Sequence, residues 1–589
     1  MNERLDPRSR LRAWKLGLAA CAAFLLLAGR LFQMQVVGSA DYSVRAEENR
    51  IRPERIAALR GRIFDRNGSV LADSRPSFSV SVVPYLVRKN DEVLARLGEL
   101  IGEDPEILRE RARQGYSRPY EPRWVLRDVN IGTVSIVEEH RHELPGVLIE
   151  SEPVRRYPQG SLAAHALGYL GELSREEAAA AAPGISAAGV HVGRAGIERK
   201  YEGLLRGRDG VRYVQEDARG RPLGTMRESG SVPGEDLWVA LDGELQALAE
   251  SLLAEYSAGS VVVLDPRSGE VLVLASWPSF DPNVFTVAVP PALWDSLSDH
   301  PFHPLLNRAI QATYPPGSTL KPVTAADGLM EGIVRPETRL LPCFGSWRFG
   351  RRVFGCWQEN GHGTLSLRSA LEQSCDVYFY QIGAKMDIDR FAAVAAEFGF
   401  GTVTGIDLSG ERAGLIPTSR YMNDRYGRSG WGQGFLLNHA IGQGEILVTP
   451  LQLARFYGAL ATGFLAPPRL LFESVDAEGV ATSHAPPVPR MIDVDREVLR
   501  PIREGIVLVV EGERGTGRSA RVPGMTVAGK TGTAQNPHGD DHAWFAAWAP
   551  AENPRIVVAA VIENAGHGGE VAAPLVGDLL RFFFAREGA

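Results

Sequence analysis

The chain has 589 residues, of which 44% are hydrophobic and 23% are charged, and its formal net charge is −7. These proportions are those of an ordinary globular protein, so they exclude a collagen-like, a disordered and a polytopic membrane protein, and the length predicts roughly two to four domains. A negative net charge gives no support to nucleic-acid binding, and four cysteines exclude a disulfide-dense scaffold.

An apolar run near the amino terminus, Leu16–Gly29, predicts a membrane helix. Its 14 residues are fewer than the roughly 20 that span a bilayer, but Lys15 and Arg30 can snorkel and apolar residues flank the run. Basic residues precede it, so the positive-inside rule places the amino end in the cytoplasm. We expect an uncleaved anchor over residues 14–34 after a cytoplasmic tail over 1–13; a signal peptide and a buried helix are the weaker alternatives.

Residues 35–236 form a mixed, charged segment that we expect to be a separate α+β unit. Arg60–Gly68 predicts a strand that leads into an Asn-Gly turn. Residues 172–182 predict a helix because acidic residues stand at its start and alanines follow. The turn-rich stretch 230–236 separates this unit from the rest of the chain.

The remaining residues, 237–589, predict one large α/β domain with a helical middle. We expect its sheet to begin at about residue 237 and to be completed after residue 525, so that strands far apart in sequence pair. The predicted elements are a strand over 237–241, a helix over 244–256, a hairpin over 259–278, a strand over 555–562 and a closing helix over 571–584.

The strongest chemical signal is a serine three residues before a lysine, Ser318 and Lys321. At the start of a helix this spacing places the hydroxyl and the amine on one face. A serine hydroxyl is a weak nucleophile that needs a base, and a lysine serves as one when burial keeps it neutral. On its own the pattern is also typical of a capped helix with a surface lysine.

Two further motifs favour the catalytic interpretation. Ser374-Cys375-Asp376 follows, and Lys530-Thr531-Gly532-Thr533 stands near the carboxyl end. In this order and spacing the three motifs resemble the signature of β-lactamases and penicillin-binding proteins.

The resemblance extends over nearly the whole chain and identifies it as a member of the class B penicillin-binding proteins. Residues 49–72 and 193–210 resemble boxes of their non-catalytic module, and residues 156–169 resemble elongation-type members. Ile441–Gly444 with Thr449–Gln452 resembles a box of the transpeptidase module. The resemblance implies the penicillin-binding transpeptidase fold, an antiparallel sheet sandwiched by helices, preceded by an elongated α+β pedestal and one membrane helix.

The function that the resemblance implies is a D,D-transpeptidase that cross-links peptidoglycan stem peptides at the periplasmic side of the inner membrane and is inhibited by β-lactams. Ser318 would be the nucleophile, Lys321 its base and Ser374 a proton relay beside Lys530. The backbone N–H groups of Ser318 and Thr533 would form the oxyanion hole. A septal role, a carboxypeptidase and a β-lactamase remain alternatives.

Partners follow from the same resemblance. A polytopic glycosyltransferase and an activator of the elongation complex are expected to dock on the pedestal, although its arginine-rich boxes are equally typical of internal salt bridges. No organic cofactor and no nucleic acid are expected.

One residue departs from the usual family pattern, because Asp376 stands where the middle motif commonly ends in asparagine. A carboxylate only accepts hydrogen bonds, and it favours the charged forms of Lys321 and Lys530. We interpret the aspartate as a mark of the elongation-type subfamily; a degraded, inactive domain is the alternative.

The three cysteines outside the membrane run fall within 33 residues of each other, with a histidine among them. Cys343, Cys356, His362 and Cys375 supply three thiolates and one imidazole, which predicts a structural zinc site. A disulfide between Cys343 and Cys356 is the rival. Because Cys375 is the middle residue of the second motif, a metal there would hold Ser374 and Asp376 in place.

Overall fold

The structure is a computed structural model of the full chain. It describes residues 7–37, 51–88, 90, 92–113, 120, 122–174, 176–177, 190–217, 221–286, 289–537 and 539–587.

The helices are numbered in chain order: α1 Pro7–Phe32, α2 Pro84–Arg88, α3 Glu92–Ile101, α4 Pro105–Arg113, α5 Ile131–Glu139, α6 Ala164–Leu167, α7 Gly196–Lys200, α8 Glu202–Leu205, α9 Gly243–Leu253, α10 Pro291–Ser298, α11 Arg308–Gln311, α12 Lys321–Met330, α13 Leu367–Glu372, α14 Asp376–Gly383, α15 Ile388–Glu397, α16 Ser419–Tyr426, α17 Gln433–His439, α18 Pro450–Thr462, α19 Arg496–Glu511 and α20 Ala572–Glu587.

The strands are β1 Ile51–Ile56, β2 Ile63–Phe64, β3 Val70–Val82, β4 Arg123–Val129, β5 Val147–Arg156, β6 Leu170–Glu172, β7 His191–Gly193, β8 Gly210–Glu216, β9 Pro222–Ser229, β10 Asp236–Val239, β11 Gly259–Leu264, β12 Val271–Trp277, β13 Ser346–Phe349, β14 Arg352–Gly355, β15 Phe464–Leu465, β16 Leu471–Val475, β17 Ala481–Ser483, β18 Arg490–Met491, β19 Ala528–Ala534, β20 His542–Ala549 and β21 Ile556–Ile562.

The amino-terminal helix is long and apolar enough to cross a membrane. Within Leu11–Val37, the most apolar 18-residue window has a mean hydropathy of 1.7, and none of that window is buried inside the protein. Large apolar side chains such as Phe24 and Leu26 are exposed along it. Such a surface is unfavourable in water and fits a lipid environment.

The carboxyl-terminal part is built on a five-stranded antiparallel sheet in the order β12-β11-β21-β20-β19. Every residue of β11 and β21 is buried, because apolar and largely β-branched runs pack on both faces. Helices α9 and α20 cover one face, and α18 covers the other. The predicted hairpin over 259–278, the strand over 555–562 and the closing helix are confirmed.

The predicted start of this sheet is wrong. β10 joins a different, seven-stranded sheet in the order β17-β16-β10-β2-β3-β4, with β5 paired to β3. There it pairs in parallel with β2 and in antiparallel with β16. An alternating pattern indicates a half-buried strand but does not identify the strand it pairs with. The sequence alone therefore favours pairing of β10 with the strands that follow it in the chain.

The amino-terminal unit contributes β2 to β5 to this mixed sheet and also contains the three-stranded sheet β1-β8-β9. The predicted strand before the Asn-Gly turn is β2, which returns as β3 after Gly68 at a φ of +85°. The helix predicted over 172–182 falls mostly outside the described residues, and Glu172 itself ends strand β6.

Candidate active site

Ser318 lies on a short 3-10 turn, Gly317–Leu320, that continues directly into helix α12. Ser318 is half-buried, and its hydroxyl makes no hydrogen bond to any described residue. Lys321 begins α12 and is fully buried. The Tyr457 hydroxyl donates to the Thr319 carbonyl at 2.9 Å, which anchors the turn from below.

The second motif meets the first at the Lys321 ammonium group. Lys321 Nζ donates to the carbonyl oxygen of Ser374 at 2.7 Å, to Ser374 Oγ at 3.2 Å and to Asp376 Oδ1 at 2.7 Å. These three acceptors use all three protons of the ammonium group. Ser374 has a φ of +53°, a left-handed conformation, and α14 begins at Asp376.

Asp376 accepts from a second side as well. Its Oδ2 atom accepts a hydrogen bond from the backbone N–H of Trp357 at 3.1 Å. Burial raises the pKa of Asp376, and the Lys321 ammonium opposes that shift. An asparagine has only one acceptor oxygen, so it could not satisfy both donors. The departure from the common asparagine therefore has a structural reason.

The third motif supplies a second lysine from strand β19. Lys530 Nζ lies 2.7 Å from Ser374 Oγ and 3.1 Å from the Thr531 carbonyl oxygen. Lys530 is fully buried, and burial together with the charge of Lys321 holds the pKa of Lys530 well below its usual value. The site thus contains one ion-paired lysine and one lysine that favours the neutral form, both in contact with one serine hydroxyl.

The rest of the motif lines the free edge of the sheet, because β19 is its last strand. The Thr533 carbonyl accepts from Gln443 Nε2 at 3.0 Å. In a strand the N–H and C=O of one residue point to the same side, so the Thr533 N–H also faces this free edge. Position 532 has no room for a side chain, because a Cβ there would lie 2.8 Å from Thr319 Cγ2 and 2.9 Å from the Pro316 carbonyl oxygen.

All eight residues predicted for catalysis therefore lie in one region, where the 317–321 turn, the 374–376 motif and strand β19 meet. Three contributors were missed by sequence reasoning: Trp357, which holds Asp376; Gln443, which holds Thr533; and Thr516, whose Oγ1 lies 2.7 Å from Thr531 Oγ1. Of these three residues, only Gln443 lies in a stretch that the sequence pattern singled out, and the sequence assigned Gln443 no role.

The four residues predicted to bind a metal also come together. The ligand atoms of Cys343, Cys356, His362 and Cys375 all lie within 4.8 Å of one another. His362 Nδ1 is 3.7 Å from Cys343 Sγ and 3.6 Å from Cys356 Sγ. In a tetrahedral zinc site with Zn–S bonds of about 2.3 Å, neighbouring ligand atoms are about 3.5–3.8 Å apart, so the donor set fits zinc. All three cysteines are buried, and no disulfide joins them.

Two family models match the chain. Residues 259–581 match the penicillin binding protein transpeptidase domain, and residues 55–239 match the penicillin-binding protein dimerisation domain.

Curated relatives match over nearly the full length. The chain is 34% identical to the peptidoglycan D,D-transpeptidase MrdA of Acinetobacter baumannii, covering 93% of this chain and 84% of that protein. It is also 34% identical to the protein of that name from Escherichia coli K12, covering 96% of this chain and 92% of that protein.

Among solved structures, the chain is similar to the penicillin-binding protein PBP2 of Helicobacter pylori in its complex with MreC. The TM-score is 0.79 at 28% identity, covering 91% of this chain and all of that one. A structure described as a peptidoglycan synthase complex that coordinates polymerization and crosslinking matches with a TM-score of 0.71 at 30% identity, covering 98% of both chains.

Proposed function

The chain belongs to the class B penicillin-binding proteins of the elongation type, and on that premise we propose that it is a peptidoglycan D,D-transpeptidase that cross-links stem peptides during cell elongation. The observation that carries the proposal is the Ser374 hydroxyl, which contacts at once Lys530 and Lys321, the lysine three residues after Ser318.

Acylation begins with the removal of the Ser318 proton. Lys321 Nζ, Ser374 Oγ and Lys530 Nζ form a continuous chain of contacts of 3.2 and 2.7 Å. A neutral Lys530 takes the Ser374 proton, and Ser374 takes one from Lys321. Lys321 is then neutral and accepts the proton of Ser318 as Ser318 attacks the carbonyl carbon of the donor's penultimate D-alanine.

The tetrahedral intermediate places a negative oxygen near the N–H groups of Ser318 and Thr533. Each such donor lowers the activation free energy by about 3 kcal/mol. When the intermediate collapses, the bond to the terminal D-alanine breaks and its amine takes a proton from Ser374, which Lys530 replaces. The hydroxyls of Thr531 and Thr533 hold the carboxylate of that D-alanine.

The second half-reaction repeats these proton transfers in reverse. The amine of a neighbouring stem peptide passes a proton through Ser374 to the neutral Lys530 while it attacks the Ser318 ester, and Ser318 recovers its own proton from Lys321. A final transfer from Lys530 through Ser374 returns a proton to Lys321. A β-lactam imitates the donor and leaves Ser318 acylated. Transfer to an amine distinguishes this function from a carboxypeptidase or β-lactamase, which transfers the acyl group to water.

The proposed location is the inner membrane, with α1 as a single span and the catalytic part in the periplasm. Two of the similar structures are complexes, one with MreC and one described as a peptidoglycan synthase complex, which supports docking of a polytopic glycosyltransferase and an elongation-complex activator on this chain. Two arginines of the first box are engaged in internal ion pairs: Arg60 pairs with Glu198 at 2.6 Å and Arg62 with Asp236 at 2.6 Å.

We also propose that Cys343, Cys356, His362 and Cys375 hold a structural zinc ion. When bound, the metal supplies a rigid cross-link and no catalytic chemistry, because four protein ligands close the tetrahedral site. The residues around it connect to the active site: Trp357 follows Cys356 and donates to Asp376, and the Trp357 indole donates to the Gln373 carbonyl at 3.1 Å.

The test is cross-link formation by the full-length protein in detergent or vesicles, with a pentapeptide donor strand and an added amine acceptor. Wild type should form cross-links and release one D-alanine for each, and Ser318→Ala should form none. Ser296→Ala, at an exposed serine of α10, is the matched control and should keep full activity. D-alanine release without cross-links would instead establish a carboxypeptidase, and equal activity in Ser318→Ala would end the proposal.

A further inference from the structure

The turn Ile441–Gly444 resembles a family box, yet the proposed reaction gives it no role. It follows helix α17 and is pinned to the end of that helix. Gly442 N–H donates to the His439 carbonyl at 2.9 Å, and Gln443 N–H donates to the Asn438 carbonyl at 3.0 Å. The backbone of Gln443 is therefore fixed, and the residue as a whole is 9% exposed.

From this fixed position Gln443 reaches the third catalytic motif. Its Nε2 atom donates to the Thr533 carbonyl oxygen at 3.0 Å. That carbonyl faces away from strand β20, so no neighbouring strand of the sheet can hold it. The Gln443 amide takes the place that a sixth strand would occupy.

The same turn also touches the nucleophile's turn. Gly317 N–H donates to the Gly442 carbonyl at 2.9 Å. A Cβ on Gly442 would lie 2.1 Å from the Gly317 carbonyl oxygen, and a Cβ on Gly317 would lie 2.6 Å from the Thr533 carbonyl oxygen. Both glycines have positive φ, +73° and +55°, so any other residue is strained there as well as obstructed. Three backbone segments thus meet without a side chain between them.

We propose that Gln443 is a positioning residue of the oxyanion hole: through its hydrogen bond to the Thr533 carbonyl it fixes Thr533 against the Gly317-Ser318 turn, so that the two N–H donors converge on one point. The inference rests on the proposed transpeptidase function. In this proposal Gln443 acts only through Thr533.

The expected effect follows from the geometry that an oxyanion hole requires. Its donors must lie about 2.7–3.1 Å from the developing oxyanion, and loss of one donor lowers the rate by about 100- to 1,000-fold. A displaced donor retains part of its effect. We therefore expect a loss of about 10- to 100-fold, confined to states with a tetrahedral carbon.

The experiment uses the full-length protein in detergent and two variants, Gln443→Glu and Gln443→Ala. The glutamate has nearly the same shape, but it presents a carboxylate oxygen to the Thr533 carbonyl where the amide presented a donor. Three quantities are measured: the acylation rate constant with a fluorescent penicillin, the Kd of the same penicillin before acylation, and the Kd of a peptidyl boronic acid that forms a tetrahedral adduct on Ser318.

Gln433→Glu is the matched control. Gln433 donates its side-chain amide to the carbonyls of Gly383 and Met386 at 2.9 and 2.8 Å, which is the same chemistry at a place away from the cleft. It should change none of the three quantities.

For Gln443→Glu and Gln443→Ala, the acylation rate constant and the boronic acid affinity should fall together, about 10- to 100-fold, while the Kd before acylation stays within about twofold. An acylation rate constant and a boronic acid affinity both within about twofold of the wild-type values would overturn the inference, and so would an equal loss in all three quantities. If one variant does not fold, the same three measurements on the other variant decide. A wild-type protein that no penicillin acylates would instead remove the proposed function, and this inference with it.

Discussion

Two contacts explain why residue 376 is an aspartate. Its two carboxylate oxygens accept from two different donors, Lys321 Nζ at 2.7 Å and Trp357 N–H at 3.1 Å. The first contact holds the base of the proposed reaction. The second ties the active site to the segment that carries Cys356.

We predict that Asp376→Asn slows acylation about 10-fold or more and lowers the free energy of unfolding by about 1–3 kcal/mol. The amide NH₂ must face either the Lys321 ammonium or the Trp357 N–H, so one buried donor loses its partner. Acylation kinetics and denaturant unfolding measure the two effects.

A suitable control is Asp389→Asn. Asp389 also accepts from two donors, the Ser419 N–H and hydroxyl at 2.8 and 2.6 Å, but on an exposed part of the molecule. It should leave acylation unchanged. If Asp376→Asn acylated as fast as wild type, the two-donor explanation for the aspartate would be wrong.

The sequence predicted the chemical residues better than the residues that hold them. Ser318 and Lys321 are three positions apart, so a local pattern reveals them. Gln443 acts on Thr533 from 90 positions away, and Trp357 acts on Asp376 from 19 positions away. Such contacts depend on the tertiary fold and leave no local spacing to read.

At the scale of elements, the hairpin of β13 and β14 is short and largely exposed. Cys343 and Cys356 lie at its two ends, and Cys375 lies in the active-site motif. A metal bound by these residues would therefore hold the hairpin and the motif together.

We predict about one zinc ion per chain of wild-type protein, measured by elemental mass spectrometry. Cys356→Ser should lose the zinc, lower Tm by several degrees and slow acylation, because the Trp357 contact to Asp376 loosens. Cys21→Ser, in the membrane helix, should keep the zinc, the Tm and the acylation rate. Zinc-free wild type, or a mapped disulfide between Cys343 and Cys356, would contradict the zinc proposal.

At the scale of the whole molecule, the pedestal and the catalytic part share one sheet. β10 pairs with β2 of the pedestal on one side and with β16 of the catalytic part on the other. Next to this sheet Glu198, fully buried, accepts from Arg60 and Arg155 at 2.6 Å each. Although burial opposes it, these two charges hold the pKa of Glu198 below its usual value.

The fold class could therefore be predicted from the sequence, but the pairing of distant strands could not. Local patterns identified the hairpin of β11 and β12 and the strand β21, because their apolar runs are continuous. The partners of β10 lie 174 residues away, between Leu237 and Ile63, and 239 residues away, between Asp236 and Val475. No local pattern specifies a pairing over such distances.

The central claim is that three distant stretches of chain form one acylation site around Ser318. The most direct measurement is labelling of the full-length protein with a fluorescent penicillin, followed by mass spectrometry of the labelled peptide. The account predicts one label per chain, on Ser318, strongly slowed labelling in Lys321→Ala and Lys530→Ala, and wild-type labelling in Lys385→Ala. A label on another residue, or unchanged rates in both site lysine variants, would contradict it.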